Sequence, residues 1–349
     1  MNHNNNRIIY FDFLRIVALF AVIWVHSEVQ SFGLTEVGSF QWIVIDFFSS
    51  TGRFSIPVFV MISGALFLGR DIPIGVIYRK NILRIVTAFV FWALFYALWI
   101  YKQTGSVSHA LPYLYNVFYH MWFLYMIVGL YVLIPVLRRI TADKNILRYF
   151  LYLSLVIVYI IPRFIAWISV FNTDLGDKTA QVWNYFDLSS ISCYVFIFVL
   201  GYYIANTDIP KHIRYISYAC ALLCFAGAFF TSWYLGVAGF ESYSLPYASC
   251  SLGVLMEAVG VFMAARYGFM NKKISPKMER FLGNMSKYNF GAYLTHAFVL
   301  DFINKYLGFT VLSINPILAD IVLTCIVFTV SFVISAIINR IPVLGKYIV

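Results

Sequence analysis

Residues 15–26 read RIVALFAVIWVH, an arginine and a histidine separated by ten apolar residues. An α-helix turns 100° per residue, so Arg15 and His26 share a face, offset by about 20° and about 16 Å apart along the axis. A guanidinium is permanently charged and suits phosphate, carboxylate or carbonyl oxygen. An imidazole takes and returns a proton near neutral pH. One face of the helix therefore presents a fixed positive charge at one end and a titratable imidazole at the other. Taken singly, Arg15 could snorkel to an interface and His26 could bond a neighbouring helix; both together on one face favour a site. Asp12, one turn before Arg15, is placed to pair with it. Glu28 lies about 200° round the helix from His26, too far to orient the imidazole, which leaves Asp46 or His120 from other segments as orienting groups.

Further ionisable residues interrupt apolar runs, where each costs about 2.5–3.5 kcal/mol and is a functional candidate for that reason. Asp46 and Arg53 flank the start of TGRFSIPVFVMISG, and Arg163, Glu257, His296, Asp301 and Asp320 lie in later runs. YHMWFLYMIVGLY brings His120 and Trp122 to an interface, where an aromatic belt alone accounts for the tryptophan. Tyr293 precedes His296 by one turn, a spacing that suits a local hydrogen-bonded pair. In YRKNILRI, Arg79, Lys80 and Arg84 form either an interfacial anchor or a clamp for the phosphates of a nucleotide-bearing donor.

The elements that must position these residues are membrane spans. The chain has 349 residues, 62% hydrophobic and only 11% charged, with mean hydropathy +0.81. A soluble domain carries about 25% charged residues, and here apolar runs of about 20 residues recur from end to end. About ten helices are expected, near 8–31, 40–69, 81–103, 119–140, 147–171, 189–206, 212–238, 245–268, 288–309 and 315–339. Pro57 and Ser63-Gly64 suggest a kink or break in the second. Alternate loops and the N-terminal tail hold nineteen of the twenty-five Lys and Arg residues, which places both termini in the cytoplasm. The basic excess thus marks topology rather than nucleic-acid binding. The first run is too long for a signal-peptide core and reads as a retained span. The five cysteines fall in apolar runs, where they read as small hydrophobes, with no metal-ligand spacing and no disulfide framework. No linker or repeat divides residues 1–349, so the expectation is an all-α, polytopic membrane protein with one domain. Two function classes fit: a membrane enzyme, and a membrane transporter of a small solute. Transporters commonly carry paired broken helices in corresponding halves, and only one such helix is suggested.

The stretches IIYFDFLRIVALFAVIWVHS, RFSIPVFVMISGALF, YRKNILRI, YHMWFLYMIVGLYVLIPVL, VFIFVLGYYI, MSKYNFGAYLTHAFVL and INRIPVLGKYI, in this order, resemble the acyltransferase-3 family of bacterial inner-membrane acyltransferases. They cover nearly the whole chain and are most similar to the stand-alone branch that acetylates surface glycans or their lipid-linked precursors. Two positions depart: Asn289 stands where serine is usual, and Asn81 where a second basic residue is common. The resemblance implies that His26 is catalytic with Arg15 as its motif partner. It also implies an acyl-CoA donor, most often acetyl-CoA, bound as a substrate near Arg79, Lys80 and Arg84, with no resident cofactor or metal. The acceptor would be a hydroxyl of a glycan or lipid-linked saccharide. Direct attack with His26 as base and an acyl-histidine intermediate both fit, and within that reading Arg53 or Arg15 could bind donor phosphate, stabilise the carbonyl oxygen or hold Asp12.

Overall fold

A computed structural model describes residues 8–185, 193–248, 250–270, 272–342 and 344–349. The elements are helices throughout, with no strand among the described residues. In chain order the longer ones are α1 (Ile9–Phe32), α2 (Phe40–Thr51), α3 (Ser55–Leu68), α4 (Ile74–Thr104), α5 (Trp122–Ala142), α6 (Lys144–Phe171), α7 (Thr173–Asn184), α8 (Cys193–Asn206), α9 (Lys211–Val237), α10 (Leu252–Met270), α11 (Pro276–Tyr306) and α12 (Pro316–Ile338). Among the described residues, eight helical stretches are long and apolar enough to cross a membrane, α2 and α3 counting as one. The expected sixth span corresponds to the shorter apolar α8, and its first residues lie outside the described ones. The expected ninth overlaps the second half of α11, which ends at Tyr306 and whose thirty-one residues include His296, Asp301 and Lys305.

The chain divides into two compact units. One comprises residues 1–69 and 136–275, the other 70–135 and 276–349. The boundary at residue 135 falls inside α5 at Pro135, which lacks an N–H and interrupts the helical ladder there.

In the first unit α1 and α2 form an antiparallel pair, joined by Phe32–Trp42 ring contact at one end and Glu28–Ser49 further in. The expected interruption of the second span occurs, but at Gly52–Phe54, between α2 and α3. Pro57 lies in the first turn of α3, where a missing N–H breaks no helical bond. Ser63-Gly64 lies within continuous helix for a different reason. A Cβ on Gly64 would meet the Phe198 carbonyl oxygen at 1.7 Å, and one on Gly201 would meet the Met61 oxygen at 2.2 Å. These glycines let the backbones of α3 and α8 touch, as small residues do between membrane helices. Arg138 then donates to the Phe67 carbonyl at 3.0 Å, satisfying the C-terminal end of α3. At the start of α6, the backbone N–H groups of Ile146 and Asn145 hold the exposed Asp143 carboxyl below the usual carboxylate range.

One expectation about the cysteines is overturned in this unit. Cys193, at the start of α8, and Cys250, just before α10, form a disulfide. Their separation of 57 residues carries no recognisable spacing, so only the fold brings them together. Removing a cross-link of this loop length is expected to cost about 2–4 kcal/mol. Denatured protein should take up three maleimide groups without reductant, matching Cys220, Cys224 and Cys325, and all five after reduction. Five in both conditions would show that the bond does not form.

In the second unit α4 and α11 run parallel. Tyr96 Oη donates to the Leu294 carbonyl at 2.8 Å, Trp99 Nε1 to Asp301 at 2.7 Å, and Lys305 pairs with Asp301 at 3.0 Å. After α4 ends at Gly105, which takes a positive φ of 65°, two short helical turns lead into a segment that folds back along the same helix. Phe118 stacks on Tyr96 with ring centroids 4.2 Å apart. Tyr96 is eight residues, about 12 Å, before the end of α4. Val117, just before this contact, has φ 48°, a left-handed conformation rare for a β-branched residue.

Candidate functional site

Because α1 is unbroken from Ile9 to Phe32, the Arg15–His26 spacing is a true helical spacing. Both side chains are half-buried. Asp12, buried at 4% exposure, accepts from Arg15 Nη1 at 3.1 Å, so the expected pairing forms. The apolar faces of α1 pack against α2, α3 and α10, with Phe11 against Phe262 of α10.

A second polar centre of the first unit lies where α2 meets α1 and α9. Glu28 and Asp46 are both fully buried. Ser49 Oγ donates to Glu28 at 3.0 Å. Asp46 Oδ1 accepts from Ser232 Oγ at 2.7 Å and Tyr247 Oη at 2.9 Å. Two donors on one oxygen offset part of the carboxylate's loss of water, while Oδ2 is buried with no hydrogen-bond partner among the described residues. Arg53 stands at the break after α2. Its Nε donates to the Ser49 carbonyl at 3.1 Å, and its guanidinium carbon lies 5.1 Å from the centre of the Tyr247 ring. Arg53 therefore does not hold Asp12; Arg15 does. Glu257, on α10, is buried, with neither carboxyl oxygen hydrogen-bonded to a described residue.

The other named residues belong to the second unit. His120 ends the fold-back segment, buried at 1% exposure, with its ring 4.9 Å from that of His296 on α11. Tyr293 Oη donates to the His120 carbonyl. His296 Nδ1 meets the Tyr293 carbonyl one turn earlier, so the local pairing runs through backbone rather than the phenol. Tyr96 closes the cluster from α4, 5.3 Å from the His120 ring. Trp122 is half-buried at the start of α5. Arg79 and Lys80 project into the open from a wide π-type turn over Ile77–Ile82. Arg84 is differently engaged, donating to the Val349 carbonyl at 2.6 Å and lying 5.6 Å from the Phe290 ring centre.

The structure thus groups Arg15, Asp12, His26, Glu28, Asp46, Arg53 and Glu257 in one unit. It groups Arg79, Lys80, Arg84, His120, Trp122, Tyr293 and His296 in the other. Sequence reasoning missed Ser49, Ser232, Tyr247 and Tyr96. Hydroxyl-bearing residues are common in membrane spans, and no local signal separates these four from the rest. Among the described residues no group of three or more His, Cys, Asp or Glu side chains could hold a metal ion.

Compared with known families, residues 8–336 match one described as an acyltransferase domain. No curated protein and no solved structure matches the chain significantly.

Proposed function

The chain belongs to the acyltransferase-3 family, and from that premise we propose that it transfers an acetyl group from cytoplasmic acetyl-CoA to a hydroxyl of a surface glycan or its lipid-linked precursor. The observation that carries the reading is the Arg15–His26 face of α1. A neutral His26 removes the acceptor hydroxyl's proton as that oxygen attacks the thioester carbonyl carbon. The new C–O bond forms, the C–S bond breaks, and the proton passes from imidazolium to the departing thiolate. Arg15, tethered by Asp12, keeps a fixed positive charge about 16 Å toward the cytoplasmic end. The long arm of a CoA thioester suits that separation. The Cys193–Cys250 disulfide supports the orientation, because the loop charges put both cysteines on the outer side of a bacterial inner membrane and disulfides persist in oxidising compartments.

The deciding experiment supplies acetyl-CoA to inverted inner-membrane vesicles from cells with and without the protein. Free CoA should appear together with a mass increase of one acetyl group on a glycan or lipid-linked saccharide. Solute uptake without CoA release would establish transport instead.

Donor binding separates the three basic residues. If Arg79 and Lys80 meet CoA phosphates, replacing both with alanine should raise the KM for acetyl-CoA about tenfold or more, since each charge-assisted hydrogen bond contributes about 1.5–3 kcal/mol. Thermal stability should not change. Arg84→Ala should lower stability as well, because it removes the bond to Val349. Unchanged KM in the double variant would remove the donor clamp from the reading.

A further inference from the structure

Arg53 is an expensive residue in its position, in the middle of a membrane-crossing pair of helices. Its surroundings restrain the side chain without using its terminal nitrogens. Nε is held by the Ser49 carbonyl, and the guanidinium carbon lies 5.1 Å from the centre of the Tyr247 ring, whose hydroxyl is locked to Asp46. Among the described residues nothing hydrogen-bonds to either Nη. Asp46 and Glu28 supply negative charge nearby without forming an ion pair with it. A guanidinium so held presents a planar fork of donors to an oxygen brought by a ligand.

The depth of the fork is set by Gly52. A Cβ there would come within 2.4 Å of Val25 Cγ2 and 2.9 Å of the Ala21 carbonyl oxygen. The break in the second span therefore lies against the turn of α1 that leads into His26. His26 stands about 100° round α1 from Val25, so a bound group rather than direct contact would join the imidazole and the guanidinium. We infer that Arg53 is the catalytic donor that binds the thioester carbonyl oxygen during acyl transfer, with Tyr247 as its positioning residue. This rests on the acyl-transfer reading of His26. As the acceptor oxygen attacks, the carbonyl π electrons move onto that oxygen, and the Nη groups hydrogen-bond the resulting oxyanion. The charge returns when the C–S bond breaks, and Arg53 stays protonated throughout. A preorganised donor aimed at developing charge acts chiefly on the transition state.

The test measures CoA release from acetyl-CoA by inverted membrane vesicles, prepared under conditions in which vesicles with the unaltered protein release CoA. Arg53→Gln should lower kcat about 10²–10³-fold while the KM for acetyl-CoA stays within about twofold. Arg53→Ala should regain part of its rate on addition of guanidinium chloride at millimolar concentration, as a merely structural residue would not. Tyr247→Phe keeps the ring beside Arg53 and removes the hydroxyl that Asp46 holds, so kcat should fall about tenfold, again with KM held. A raised KM with unchanged kcat would assign Arg53 to donor phosphate instead and overturn the inference. So would full activity, or loss of rate that guanidinium cannot rescue in monodisperse protein. Full activity in His26→Ala would bring down the acyl-transfer reading itself. An inactive His26→Ala beside fully active Arg53 variants would bring down only the role of Arg53.

Discussion

His26→Ala is expected to lower acyl transfer by about 10²–10⁴-fold, the usual contribution of a positioned general base. The variant should insert and fold normally, because the side chain is only half-buried. Truncation leaves the apolar faces of α1 untouched, including fully buried Leu14, Leu19 and Ile23. The measurement is CoA release by membrane vesicles, paired with the melting temperature of purified protein. His26→Gln separates two roles of the ring, since glutamine keeps a hydrogen-bonding side chain but cannot accept a proton at neutral pH. It should be as inactive as alanine if proton removal is the contribution. Partial activity in glutamine alone would point to orientation of the acceptor hydroxyl instead.

The largest effect on stability is expected at Gly64 and Gly201. A methyl group on Gly64 would sit 1.7 Å from the carbonyl oxygen of Phe198, and one on Gly201 would sit 2.3 Å from the Cα of Met61. Both obstacles are backbone, so neither can rotate away, and α3 and α8 would have to separate. Overpacking ordinarily costs about 1–3 kcal/mol. Here the loss should reach or exceed the top of that range, because helices in a membrane associate through close packing rather than through exclusion of water. Gly64→Ala and Gly201→Ala should each strongly reduce the yield of monodisperse protein in mild detergent. Gly227→Ala, in α9, is the matched control: a Cβ there meets nothing within 4 Å, and stability should hold or rise slightly. Equal behaviour of the three variants would show that α3 and α8 do not pack as described.

Helix existence was legible from hydropathy because a span is a local property of about 20 residues. The Arg15–His26 face was legible for the same reason: within one unbroken helix, spacing alone sets the angle and the rise. The Asp12–Arg15 pair followed from the same arithmetic. The interruption of the second span was readable only in outline. Pro57 and Gly64 look like helix breakers in isolation, yet the break lies at Gly52–Phe54. A proline in a first turn and a glycine in a helix–helix contact both do work that depends on their surroundings.

Tertiary structure decided everything that joins distant segments. Asp46 is bonded by Ser232 and Tyr247, 186 and 201 residues away. Arg84, equivalent to Arg79 and Lys80 as a charge in a basic stretch, is engaged by Val349 at a separation of 265 residues. Cys193 and Cys250 read as small apolar residues until α8 and α10 bring them together. The fold-back that carries His120 to His296 joins an apparent outer loop to the middle of α11. Periodicity and hydropathy report what each residue prefers to face, lipid, water or protein. They do not report which partner it meets there, because that choice is made by the packing of whole helices.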